Sequence, residues 1–199
     1  MRSMKGKIPN LREQHKAATR QEIARFAVGL FLKQGFVNTT IDQIVEPLGI
    51  AKRTFFRYFS TKEDLVLAWF EEKTPALVRE LGDRPVQENP FEAVCATLSS
   101  LLVRYDANPG SALAMMRLTK ETPSLVGRDL EKRMIWEQAL AAALVERVGQ
   151  KTMSLLKARI VVGTAMTAFT AALDEWYAGG GKLKLRPIVE KAFSMAGTP

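Results

Sequence analysis

Apolar residues recur along the chain at helical spacing. Ile23, Phe26, Ala27, Leu30 and Phe31 lie on one face of a first helix, which Asn10 and Glu13 open in a cap-like pattern and Gly35 closes. Thr40 with Gln43 reads as a capping box for a second helix bearing Ile41, Ile44, Val45 and Leu48, with Pro47 at its end and Gly49 after it. A short third helix is predicted over 51–58. Ser60 with Glu63 is a further capping box, opening a fourth helix that carries Leu65, Val66, Trp69 and Phe70.

The same rhythm continues. Asn89, Pro90 and Glu92 start a helix carrying Val94, Leu98, Leu101, Leu102 and Tyr105, which stops near 108–110. Helices are then predicted over 111–121, from Thr122 and Pro123 to about 148, over 151–177 with the glycines 179–181 as a stop, and over 187–195. Residues 82–89 read as the longest loop, and 1–9 and 196–199 as loose ends. No segment alternates apolar and polar residues as a half-buried strand does. The expected fold is all-α, about nine helices in two domains, 1–62 and 63–199.

Charge sharpens this division. The chain has 199 residues and a formal net charge of +8. Residues 1–62 hold 12 Lys and Arg against 4 Asp and Glu, a net +8, and residues 63–199 hold 17 against 17. A basic third on a neutral body is the electrostatic footprint of a polyanion binder. The single cysteine, Cys95, excludes an internal disulfide and a multi-cysteine zinc site. Apolar runs are broken by charge short of the ~20 residues of a membrane span, and no apolar segment follows the basic N-terminus, so the expected compartment is the cytoplasm.

The stretch LGIAKRTFFRYFS, 48–60, is dense in both rings and positive charge. A helix, a turn at Gly49 and a short second helix make a helix-turn-helix. Phe55 and Phe59, four apart, share the face that packs inward, which turns Lys52, Arg53 and Arg57 outward, toward phosphates and base edges of double-stranded DNA. The plainer alternative is an amphipathic core helix with a solvated basic face.

These residues resemble the tetracycline-repressor (TetR) family of transcriptional regulators. FVNTTIDQIVEPLGIAKRTFFRYFSTKEDLV carries Gly-aromatic just before Thr39-Thr40, the Gly49-Ile50 turn, Thr-aromatic-aromatic-Arg-x-Phe from Thr54, and Thr-Lys-Glu-x-Leu from Thr61; the likeness spans about residues 16–70. The resemblance implies phosphate contacts from Thr40 and from Lys62 at the start of the fourth helix, and base contacts from Lys52, Arg53 and Thr54 in the first turn of the third; Thr39 and Arg57 complete the set of candidate DNA contacts. Phe56 stands where the family usually has a phosphate-binding Tyr, and Tyr58 is the candidate replacement. Arg2, Lys5 and Lys7 could form a minor-groove arm. Trp176 with the glycines 179–181 resembles one branch of the family with a Trp-rich C-terminal domain, and that branch hints at an acyl-type ligand.

The resemblance also implies a homodimer and a small-molecule effector. The 151–177 helix carries Gly163, Thr164, Ala165, Thr167, Ala168, Ala171 and Ala172, small residues that let helices approach closely. It would pair with 187–195 across a two-fold seam. Met115, Met116, Trp136, Phe169 and Trp176 are candidates to line an apolar effector pocket, with Arg117, Glu121 and Arg133 as polar anchors. The functional expectation is a ligand-responsive regulator, a repressor that reads an inverted repeat. The alternatives are a DNA-binding protein without an effector, architectural or controlled by a protein, and a helical adaptor whose basic face binds an acidic protein. No metal, cofactor or enzymatic role is expected: His15 is the only histidine, and the neighbours Glu71-Glu72 and Asp174-Glu175 point in different directions on their helices.

Overall fold

The computed structural model describes residues 11–197. The expected cap at Asn10 and the arm at Arg2, Lys5 and Lys7 lie outside them. Among the described residues there is no strand. The helices run α1 Leu11–Gln34, α2 Ile41–Val45, α3 Lys52–Tyr58, α4 Glu63–Glu71, α5 Thr74–Asp83, α6 Pro90–Ser100, α7 Leu102–Ala107, α8 Pro109–Glu121, α9 Pro123–Val148, α10 Leu155–Ala178 and α11 Leu185–Gly197. Among the described residues these are eleven helical segments; 72–73 separate α4 from α5, and Leu101, Asn108 and Thr122 are the single residues between α6, α7, α8 and α9.

The chain divides into two compact units, Met1–Trp69 and Phe70–Pro199. The division falls within α4. Lys62 ties the start of α4 to the first unit by donating to the Phe36 and Thr39 carbonyls at 2.5 and 2.8 Å.

In the first unit α1 buries Ile23, Ala27, Val28 and Phe31. Gly35 ends it with φ 88°, its amide donating to the Phe31 carbonyl at 2.9 Å. Phe36 then folds back edge-on against Phe31, ring centroids 4.9 Å apart. The Thr40–Gln43 capping box is present: the Gln43 amide donates to the Thr40 hydroxyl, and the Thr40 amide to the Gln43 side chain. The Ser60–Glu63 box is not the one that forms. Asp64 takes its place, its Oδ2 accepting from the amides of Ser60 and Thr61 at 2.9 Å each.

In the second unit α10 is central, packed by α6, α9 and α11, with α5 and α8 on α9. Asn89, Asn108 and Ser154 each accept a backbone amide at a helix start. Asn108 begins α8 at Pro109, ahead of the expected 111, and Ser154 delays α10 to Leu155, past the expected 151. The expected loop over 82–89 is shortened by α5, and it is pinned. The buried Arg147 guanidinium donates to the carbonyls of Arg84, Pro85 and Glu88, and Arg84 pairs with Glu88 at 2.5 Å. The last helix continues to Gly197, beyond the expected 195, because its end packs on Phe91; a Cβ at Gly197 would come within 2.8 Å of that ring. By length and composition α10 could cross a membrane, and its buried residues from Ala158 to Trp176 form part of this unit's core.

Lys73 is a buried cation in the second unit, 9% exposed. Desolvation lowers its pKa to about 8, and the positive charge of Arg104 adds to the effect. A lysine that titrates at about 8 when folded and near 10.5 when unfolded opposes folding fully below pH 8, and that opposition fades as pH rises to 10.5. Lys73→Met is therefore expected to stabilise the unit by up to about 3 kcal/mol at pH 7. Urea unfolding should show this gain shrinking toward zero by pH 10.5; an equal gain at both pH values would contradict the assignment.

Candidate functional site

The turn between α2 and α3 sets the geometry of the basic face. Gly49 adopts φ 63°, a conformation strained for any residue with a Cβ. The Gly49 and Ile50 amides donate back to Glu46 and Val45 at 3.0 and 3.1 Å, so the chain reverses tightly into α3. Phe55 and Phe59 are 0% and 2% exposed, centroids 5.5 Å apart, on the inward face. Phe56 is 54% exposed, edge-on to Phe55.

Lys52, Arg53 and Arg57 are exposed, and Thr54 and Tyr58 half-buried. Lys52 reaches back to Asp42 of α2 at 2.7 Å, and the Arg57 guanidinium lies over the Tyr58 ring at 5.2 Å. The α3 candidates thus stand together on one short helix. Arg57 and Tyr58 also border a cleft shared with Arg12, His15 and Lys16 of α1.

Two candidates have a different place. Thr39 is 1% exposed; its hydroxyl donates to the Gly35 carbonyl at 2.7 Å and accepts from Gln34. Its side chain belongs to the turn, not to the exposed face. Lys62 lies over the Phe36 ring at 4.3 Å besides its two carbonyl bonds, and desolvation lowers its pKa against the opposing effect of Glu63. An ammonium has three donors, so one remains for an outside anion. Thr40 is exposed at its cap. Gln34 escaped the sequence reading: its amide donates to Thr39 and Gln43, linking the end of α1 to the start of α2.

In the second unit, Met115, Met116, Trp136 and Phe169 line one cavity of about 70 Å³, together with Tyr105 and Lys132. Arg133 also borders it, while Arg117 and Trp176 do not. Arg117 is exposed beside Glu121 at 3.8 Å, and Trp176 donates to the Leu183 carbonyl at 2.8 Å. The wall is more polar than expected. Lys132 pairs with Asp129 at 2.5 Å, and burial, with help from Asp129, pushes the Tyr105 hydroxyl up to about 12. Across the rim Lys120 of α8 meets Asp174 of α10 at 2.6 Å, and nearby Tyr177 donates to Glu121 at 2.6 Å. The i, i+3 spacing of Asp129 and Lys132 was visible in the sequence, but not that it faces inward.

A second hollow, about 1040 Å³, is an open groove along α10 and α11, floored by Gly163, Thr164, Thr167 and Ala171 and flanked by Ile160 and Met195. Those last two are 61% and 72% exposed. No group of three or more His, Cys, Asp or Glu able to hold a metal occurs among the described residues. The buried Cys95 thiol is pushed up to about 12 by desolvation and then by Glu92, which leaves it protonated at neutral pH.

Residues 22–69 match the family model for bacterial regulatory proteins of the tetR family, and residues 88–198 match the model for the MftR C-terminal domain. The chain is 31% identical over 175 residues to the HTH-type transcriptional regulator TcmR of Streptomyces glaucescens, covering 85% of this chain and 77% of TcmR. Among solved structures it resembles Thermus thermophilus FadR, a TetR-family repressor in complex with lauroyl-CoA. The TM-score is 0.60 at 22% identity, covering 89% of this chain and 92% of that one. Bacillus subtilis FadR in complex with stearoyl-CoA gives 0.58 at 17%, covering 88% and 96%. At these identities the two structures show a shared fold.

Lys62→Met removes two of the bonds that hold the Phe36–Thr39 turn. The first unit should lose about 1–3 kcal/mol of stability, with amide exchange quickened over 36–40. Unchanged exchange there would mean that Lys62 does not hold the turn.

Proposed function

Since the chain belongs to the tetR family of bacterial transcriptional regulators, we propose that it is a cytoplasmic repressor that binds an inverted-repeat operator as a homodimer and leaves it when a small effector binds. The observation that carries this reading is α3: Lys52, Arg53 and Arg57 exposed on a helix whose opposite face is held by Phe55 and Phe59. Arg53 and Lys52 stand in its first turn, where a base edge can be read, and Arg57, Tyr58, Thr40 and the third donor of Lys62 serve phosphates. Thr39 acts only by shaping the turn.

One short helix reads few base pairs, so a two-fold pair is needed for a selective site. The α10–α11 groove supports a seam, because its small residues allow a second copy's helices to approach closely and its apolar flanks are exposed.

The effector reading rests on the cavity around Trp136. At about 70 Å³ it is far below the roughly 300–1,000 Å³ of a typical ligand site. A ligand must therefore part the enclosing helices, and the Lys120–Asp174 bridge between α8 and α10 is the natural place to yield. Such movement gives the differential affinity for two states without which a ligand cannot release DNA. The same small volume favours the second reading, a DNA-binding protein with no effector. The acyl-CoA ligands of the two FadR proteins support the first.

The phosphate role is tested by titrating affinity for a fixed mixed-sequence duplex against salt. Arg57→Ala should weaken binding and reduce the log–log salt slope by about 1. An unchanged slope would take Arg57 off the DNA. Ile160→Glu should shift the sedimenting species from two chains to one and weaken DNA binding with it; a two-chain variant would overturn the seam.

A further inference from the structure

The wall of the cavity holds a polar atom that the surrounding protein leaves without a partner. Trp136 is 6% exposed, and its indole Nε1 has no acceptor among the described residues. The indole of Trp176, by contrast, donates to the Leu183 carbonyl at 2.8 Å. Buried N–H groups in folded proteins nearly always have an acceptor, so one without it, on a residue that lines a cavity, is a place where an oxygen brought in as the helices part gains most.

The charge beside it has a sign. The Lys132 ammonium lies 5.7 Å from the centre of the Trp136 ring and 4.5 Å from that of Phe70. Asp129 engages one of its three donors, at 2.5 Å. The lining carries Lys120, Lys132 and Arg133 against Asp129 and Asp174, a surplus of one positive charge. Met115, Met116 and Phe169 offer an apolar surface elsewhere on the same wall.

Resting on the reading of this cavity as the effector site, we propose that the effector carries an anionic oxygen, a carboxylate or phenolate, on an apolar skeleton. The oxygen accepts from Trp136 Nε1 and is attracted by Lys132, while the skeleton lies against the two methionines and Phe169. An uncharged hydrocarbon of the same shape leaves the indole N–H unmet and gains nothing from the remaining donors of Lys132, so it binds more weakly. The selectivity resides in Trp136 and Lys132 rather than in the apolar wall, which any greasy molecule could use.

The test uses the full chain, with 2-naphthoate as probe and naphthalene as its uncharged counterpart, followed through the indole N–H signals of the three tryptophans in a nitrogen-15 spectrum. Trp136→Phe identifies one signal by its loss. 2-Naphthoate is expected to move that signal downfield, and Trp136→Phe to weaken its binding roughly 10-fold. The variant's melting temperature without probe should fall only by the packing lost with the larger ring, since no protein hydrogen bond is lost. A lowered melting temperature with unaltered naphthoate affinity would assign Trp136 to packing and overturn the proposal. A second variant, Lys132→Met combined with Asp129→Asn, removes the ion pair together and should weaken naphthoate but not naphthalene. Equal binding of both probes with the Trp136 signal unmoved would overturn the anchor while leaving the effector reading intact. Binding of neither would overturn both.

Discussion

Withdrawal of Phe55 and Phe59 from water is the interaction on which the basic face of α3 depends. α3 spans only Lys52–Tyr58, too short to be stable as an isolated helix. What keeps it helical and oriented is burial of two rings, each contributing roughly 2–3 kcal/mol. Because the rings are four residues apart, anchoring them fixes the rotation of the helix about its axis. The outward direction of Lys52, Arg53 and Arg57 follows. The smaller contacts around it, the Lys52–Asp42 pair and the two carbonyl bonds of Lys62, hold the preceding helix and turn in register with that anchor.

The second unit solves a different problem. Its core helix α10 must pack on α6, α9 and α11, yet it also carries small residues along an exposed groove. Close by, the cavity wall combines apolar side chains with an ion pair, a tyrosine held neutral and an indole lacking an acceptor. Polar groups in a core oppose stability unless each finds a partner. A wall that leaves one unmet is less stable closed than it could be, which would suit the effector site proposed above.

Much of this was legible in the sequence where the signal is local. The Thr40–Gln43 box, the cap at Asn89, the start of α9 at Pro123, the Gly35 and Gly49 turns and the inward pairing of Phe55 with Phe59 are short-range features with fixed spacing. The misplaced details are non-local. Thr39 looked like a surface threonine, and only the folding of Phe36 against Phe31 shows its hydroxyl turned inward. Asp64 displaced Glu63 as the capping acid because the turn places Ser60 and Thr61 over it. Arg147 spans about sixty residues to pin the 84–88 segment, a pairing that no periodicity announces. Of the pocket candidates, Met115, Met116, Trp136 and Phe169 converge, whereas Arg117 and Trp176 have apolar or charged neighbours that spacing cannot tell from a cavity wall.

The proposed pairing of two base-reading α3 helices is tested most directly by selecting tight binders from random duplex DNA at near-physiological salt. An inverted repeat, with half-sites separated by about one helical turn or a multiple of it, is the predicted result. Enrichment of no sequence, with binding governed by salt alone, would contradict it.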